Sequence, residues 1–262
     1  MEIVRCLENR RLAYYGRLVT DKQWDSHWRQ QRPTLEFYAP YAAGEVGHLG
    51  RMMASVLPKH GKVLEAGCGL GQYVLGLGAL GFDCEGIDYA AETVGAVKAL
   101  LPDLPIRVGD ITAIDAPDAA YCGYISLGVI EHFRDGPDAA LCEARRVLAP
   151  GGVAIISVPC FNALRRLKAK MGFYRHDPGN LPFYQYAYQA GEMRAILVRH
   201  GFRVLEFHGY DCFKGLKDEL PLISSLADIP GVGWRFKKWL RASPRLNRYA
   251  GHMAIFVCAK DS

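Results

Sequence analysis

The sequence predicts an α/β fold: a doubly wound, mostly parallel sheet with helices on both faces. Three observations predict it. A short apolar strand, Lys62 to Glu65, runs through a glycine-rich turn, Gly67-Cys68-Gly69-Leu70-Gly71, into a helix over 72–80. Strand-like and helix-like runs then alternate from residue 83 to residue 210, the pattern of βαβ units. Half of the 262 residues are hydrophobic, enough for one large core.

The elements follow in order. Residues 1–50 show no strand alternation and read as short helices, a cap laid against the main domain. Within it a helix starts near Thr20 or Asp21, with Trp24 and Trp28 four apart on one face. These aromatics either dock the segment or wall a ligand cavity. Gly44 to Leu57 is a further helix, ended by Pro58. After the glycine turn, Gly81 stops the first domain helix. Asp83 to Asp88 is a second strand, 90–101 a helix, and Ile106 to Val108 a third strand. Tyr121 to Leu127 is the fourth strand, followed by Gly128-Val129-Ile130-Glu131-His132. A helix over 137–148, a buried strand over 153–159, a helix over 189–200 and two strands near 202–210 and 252–260 complete the domain.

The glycine turn lets a ligand approach the backbone and the amides of the following helix. Its spacing is G-x-G-x-G, and Glu65 stands two residues before the first glycine. A carboxylate there suits a cationic ligand better than a pyrophosphate. Asp88, at the tip of the second strand, is placed to accept both hydroxyls of a ribose, or else to cap the next helix. Asp110 ends the third strand as a ligand acid or as a turn residue.

On the motif Glu65-x-Gly67-x-Gly69-x-Gly71, with Asp88, Asp110 and the Arg146-Val147-Leu148-x-Pro150-Gly151-Gly152 segment, the chain resembles the class I S-adenosylmethionine-dependent methyltransferases. That resemblance implies a Rossmann-like seven-stranded sheet whose last strand is antiparallel, and S-adenosyl-L-methionine as cofactor with S-adenosyl-L-homocysteine as product. It assigns the methionine part of the cofactor to Glu65, Gly67, Gly69 and Gly71. It gives the ribose to Asp88 and the adenine to Tyr89, Asp110 and Ile111; Leu127, where the fourth strand opens, borders the same ligand.

His132 is the candidate general base toward an acceptor hydroxyl. The Glu131-His132 pair also suggests a metal site or plain packing. Related quinone-pathway enzymes carry an additional Glu where Gly128 stands here, so no metal is assigned. The expected domains are a helical cap over 1–50 and a methyltransferase domain over 51–262, with insertions at 160–188 and 211–250.

Charge is unevenly placed. Phe161 to His176 holds five Lys and Arg, and Ile229 to Ala250 six, against a net charge of +5 for the chain, so the remainder is acidic on balance. In the first segment Phe161, Leu164, Leu167 and Met171 share one helical face; the second mixes Trp234, Phe236, Trp239 and Leu240 with cations. These insertions are read as solvated basic helices, as a site for an anionic acceptor, or as a peripheral membrane contact toward a lipid-linked one. The acceptor is expected to be a small molecule or a glycan. The alternatives are methyl transfer to RNA or protein, a non-catalytic cofactor-binding protein, and a nicotinamide oxidoreductase. Nucleic acid is disfavoured because no recognised binding module occurs. Eight scattered cysteines without a C-x-x-C pair, no secretory signal at the N-terminus and no apolar run of roughly 20 residues predict a cytoplasmic protein.

Overall fold

A computed structural model describes residues 3–31, 33–220, 223, 225 and 233–261. The main sheet has seven strands in the order β5-β4-β3-β6-β7-β10-β9. They are β3 (Lys62–Ala66), β4 (Asp83–Asp88), β5 (Ile106–Val108), β6 (Tyr121–Leu127), β7 (Leu148–Pro159), β9 (Phe202–Tyr210) and β10 (Met253–Lys260). β3 to β7 run parallel, and β10 lies antiparallel between β7 and β9, pairing Phe256 with Ile156 and with Phe207. The period of two sorts the side chains onto two faces. Val63, Ile125, Ile155 and Ile255 pack with α3 (Gly47–Val56), α4 (Gln72–Ala79) and α5 (Ala91–Leu100). Leu64, Tyr124, Ile156 and Phe256 pack with α6 (Asp138–Val147) and α8 (Ala190–Arg199). Both faces are covered, which is why these strands read as continuous apolar runs.

The N-terminal segment departs from the all-helical expectation. Before α1 (Asp21–Gln31) and α2 (Leu35–Ala42), it opens with a hairpin of β1 (Val4–Glu8) and β2 (Arg11–Tyr15). Asn9 and Arg10 make its two-residue turn, both at positive φ, as a primed hairpin turn requires. β8 (Phe183–Ala187), from inside the 160–188 insertion, pairs antiparallel with β2 to complete a second, three-stranded sheet. The strands escaped notice because β2 is buried on both faces from Leu12 to Tyr15 and shows no polar alternation.

The insertions also contribute four helices among the described residues, α7 (Ala163–Lys170), α9 (Cys212–Lys217), α10 (Gly233–Ala242) and α11 (Pro244–Ala250), with turns and loop over 171–182. Of the 211–250 insertion, residues 221, 222, 224 and 226–232 lie outside the described residues. The apolar stripe expected on α7 is not its packed face. Phe161 is buried ahead of the helix, Leu167 and Met171 are exposed, and Arg165 is fully buried in their place.

Arg165 is tolerated inside because its partners complete its hydrogen bonding. Its Nε donates to Glu219 Oε1 at 3.1 Å and its guanidinium to the Cys160 carbonyl at 2.7 Å. A further donor reaches His252 Nδ1 at 3.0 Å, which must therefore accept. Burial and the adjacent Arg165 push the His252 imidazole down to about 2, so it stays neutral. Glu219 also receives Lys168 and Tyr174, each at 2.9 Å, and Arg5 from β1. Burial alone would raise its carboxyl, but these donors hold it below the ordinary value. One carboxylate thus ties β1, α7 and the end of α9 together, and two cations of the basic insertion are consumed internally.

Glu219→Ala removes the carboxylate hydrogen-bonded to buried Arg165, leaving it only the looser Asp218 contact at 3.7 Å, and is expected to cost about 3–5 kcal/mol of stability, read by urea unfolding. A loss below 1 kcal/mol would show that the network carries no such weight.

Candidate active site

The glycine turn joins β3 to α4 at the carboxyl end of the sheet, where open α/β folds bind ligands. Gly67 and Cys68 donate to the Ile87 carbonyl at 2.8 and 3.0 Å, which pins the turn to the neighbouring strand. Gly67 sits at φ 83° and a Cβ there would lie 2.5 Å from Val129; at Gly69, φ 52°, it would lie 2.7 Å from Trp28. Both positions therefore require glycine for conformation and for space.

Asp88 organises this turn. One carboxylate oxygen accepts the Gly69 amide at 2.8 Å and the other the Ala90 amide at 3.0 Å. The helix-side bond and the cavity-facing position coexist, so the two roles read from sequence are not exclusive. Asp110 makes a local turn, its Oδ1 receiving the amide and hydroxyl of Thr112, both at 2.8 Å.

A cavity of about 620 Å³ opens here. Of the residues picked out by sequence, Glu65, Gly67, Asp88, Tyr89, Asp110, Ile111, Leu127 and His132 line it. Gly69 and Gly71 do not. Trp28 covers the first, and the second faces Leu104 and Ile106, so both shape the turn from behind. Trp24 and Trp28 enter the lining from α1, their rings stacked 6.3 Å apart. α1 is held over the cavity by Asp25, which is buried and accepts the amide and hydroxyl of Thr93 at 2.8 and 2.7 Å.

Sequence reasoning missed Gln72, Phe133, Arg134, Ser157, Tyr210 and Met253, all in the lining. Tyr210 pairs with Met253, which pairs with Pro159, so the antiparallel register brings the start of β10 to the carboxyl ends of β7 and β9. That topology was the available signal.

Two buried atoms of lining residues, Glu65 Oε2 and Gln72 Oε1, have no hydrogen-bond partner within the protein. Gln72 Oε1 can only accept and Glu65 accepts through both oxygens once ionised, so a ligand bearing an ammonium group would satisfy both. Burial, aided by the nearby Asp88, pushes the Glu65 carboxyl from 4.5 up to about 8. The uncharged acid is thus the resting form at neutral pH, and a cation beside it would favour the carboxylate.

His132 ends a 3-10 turn, Ile130–His132, after Gly128 at φ 71°. Its Nδ1 lies 2.8 Å from the Tyr184 carbonyl of β8. A carbonyl only accepts, so Nδ1 carries the proton and the neutral ring leaves Nε2 bare. Burial pushes the imidazole down to about 4, against the opposing hydrogen bond to Tyr184. The ring meets Trp24 edge-on at 5.0 Å and Tyr184 at 5.0 Å. Glu131, by contrast, is buried outside the lining with Oε2 unpartnered, and burial pushes it up to about 8. The adjacent pair does not present two donors to the cavity.

Fold and site together define a Rossmann-like methyltransferase architecture with a pocket at the sheet's carboxyl end. Residues 64–156 match the family model described as a methyltransferase domain. A protein of Mycolicibacterium smegmatis described as a probable S-adenosylmethionine-dependent methyltransferase is 35% identical over 151 residues, 56% of this chain and 55% of that protein. A similarly described Mycobacterium tuberculosis protein is 29% identical over 140 residues, covering 53% and 48%. The chain spans about half the length of these curated relatives. Among solved structures, a chain from the complex between the Haloferax volcanii Trm112 methyltransferase activator and a candidate methyltransferase superposes with a TM-score of 0.58 at 17% identity, over 92% of this chain and 96% of that one. Residues 64–156 therefore carry a methyltransferase domain, similar to that of probable S-adenosylmethionine-dependent methyltransferases.

The buried Glu131 carboxyl makes stability pH-dependent. Its pKa is raised in the folded state, so between about 4.5 and about 8 the unfolded chain releases a proton that the folded chain keeps. Stability therefore falls as pH rises through this window. Glu131→Gln is expected to flatten the dependence by up to roughly 1.4 kcal/mol per pH unit; superimposable stability profiles for the two proteins would place the Glu131 pKa near its ordinary value.

Proposed function

We propose that this chain transfers a methyl group from S-adenosylmethionine to a small-molecule or glycan acceptor. The observation that carries the reading is a single cavity that brings Glu65 and Asp88 together with a neutral His132. In this reading Glu65 and Gln72 receive the ammonium group of the cofactor, Asp88 the ribose hydroxyls, and Asp110, Ile111 and Tyr89 the adenine. The cofactor supplies an electrophilic methyl group on a sulfonium.

The chain's own residues align and protect. Asp88 holds the Gly69 amide and so keeps the turn open to the ligand. Trp24 and Trp28 roof the site and exclude water, which leaves positioning as the main source of rate. His132 Nε2 takes the proton from the acceptor hydroxyl or ammonium, while the Tyr184 carbonyl holds the imidazole in the productive tautomer. The acceptor half is walled by Phe133, Arg134, Tyr210 and Met253, an aromatic surface with one cation that suits a ring or sugar bearing a polar group. The free thiols of all eight cysteines support a reducing, cytoplasmic setting. Among the described residues no helix is long and apolar enough to cross a membrane.

Calorimetric titration with S-adenosylmethionine, S-adenosylhomocysteine and NADH tests the cofactor. Binding of the two sulfur compounds but not NADH is expected, and the reverse selectivity would overturn the reading. Asp88→Ala should weaken S-adenosylmethionine binding at least tenfold, roughly 1.4 kcal/mol; an unchanged dissociation constant in folded protein removes Asp88 from the ribose site.

Radiolabelled methyl transfer to phenols, phosphorylated sugars and glycans, with RNA and protein as competing acceptors, tests the rest. His132→Ala is expected to lower kcat about a hundredfold or more while leaving cofactor affinity intact. Because His132 is neutral above about pH 4, its protonation should depress the wild-type rate only toward that pH. A rate that falls with a midpoint near 6.5 would contradict the buried, neutral imidazole.

A further inference from the structure

The helical insertion beside the sheet carries a face that the methyl-transfer reading does not use. α10 packs its inner side through Phe236 and Leu240 onto Cys212, Phe213 and Ala250, with the Lys237 ammonium 5.6 Å from the Phe213 ring. Its outer side presents Trp234, 62% exposed, Arg235, Lys238 and Trp239, 60% exposed. At helical spacing these four cover an arc of about 140°, with the indoles at its edges and the cations between them. The Arg235 guanidinium lies over the Trp234 ring, and the Trp239 ring stacks on Phe236.

α11 packs against both α10 and α7. Arg245, Arg248 and Tyr249 are exposed on α11, and Arg166, Leu167, Lys170 and Met171 on α7 and its C-cap, followed by Phe173. From Gly233 to Ala250 the sequence holds no Asp or Glu. Three packed helices therefore expose cations together with large apolar side chains, a costly arrangement in water.

We propose that this face docks the protein peripherally on an anionic lipid bilayer. Indoles and tyrosines favour the bilayer interface, and surface cations are attracted to anionic headgroups. A nucleic-acid strand would share the phosphates and could stack on the indoles. The aliphatic Leu167 and Met171 offer nothing to a base, yet suit the boundary between headgroups and acyl chains. The inference stands apart from the chemistry of the cavity, so failure of either leaves the other untouched.

Co-sedimentation with phosphatidylcholine vesicles, with and without phosphatidylglycerol, tests it. The full chain should bind the anionic vesicles, bind weakly to the neutral ones, and be released by salt. Arg235→Glu with Lys238→Glu should lower the partition coefficient roughly tenfold or more. Trp234→Ser with Trp239→Ser should abolish the vesicle-induced blue shift of tryptophan emission while Trp24 and Trp28 remain. Since all four side chains point outward, both variants should keep the wild-type melting temperature; if one fails to fold, the other decides. Equal binding of wild type and folded variant, equal binding to neutral and anionic vesicles, or displacement from vesicles by single-stranded RNA at stoichiometric amounts would each overturn the proposal.

Discussion

The site depends on the two hydrogen bonds that Asp88 accepts from Gly69 and Ala90. Through them the tip of β4 holds the turn that leaves β3, so two neighbouring strands deliver one rigid pocket floor. The Ile87 carbonyl, taking the Gly67 and Cys68 amides, adds the second clamp. With both oxygens already engaged, Asp88 has a fixed orientation and unused lone pairs toward the cavity. That is preorganisation in a physical sense: the carboxylate needs little rearrangement to receive a ligand.

Everything around this floor works by enclosure. The half of the cavity beside the glycine turn is built from the sheet's own turns, whereas the roof comes from α1, anchored by Asp25 on Thr93. The far wall is indirectly supported by the small sheet, because β8 carries the Tyr184 carbonyl that orients His132. β1 and β2, in turn, are tied to the helical insertion by Arg5 on Glu219, which also neutralises Arg165. That side of the cavity is therefore assembled from segments far apart in the chain, each too short to be stable alone.

The convergence of the motif residues was legible because their placement is local. Glu65, Gly67, Asp88 and Asp110 each sit at a strand end, and strand ends on one sheet edge converge whatever the rest of the chain does. The three-stranded sheet was not legible. β2 is buried on both sides, and β8 sets Tyr184 and Tyr186 against Phe183, Gln185 and Ala187, so neither strand shows a clean polar face at the period of two. Arg165 read as part of a basic surface because its partner Glu219 lies 54 residues away. No window on the sequence contains both.

By itself, the sequence determined the parallel sheet, the glycine turn and the acids that point into it, since apolar periodicity and turn chemistry act over a few residues. Tertiary structure alone decided the state of His132. Its neutral charge and bare Nε2 follow from burial beneath Trp24 and from a carbonyl 52 residues downstream. The same holds for which cations of the insertions remain at the surface: desolvation and ion pairing depend on what the chain brings together in space, and that information resides in the fold.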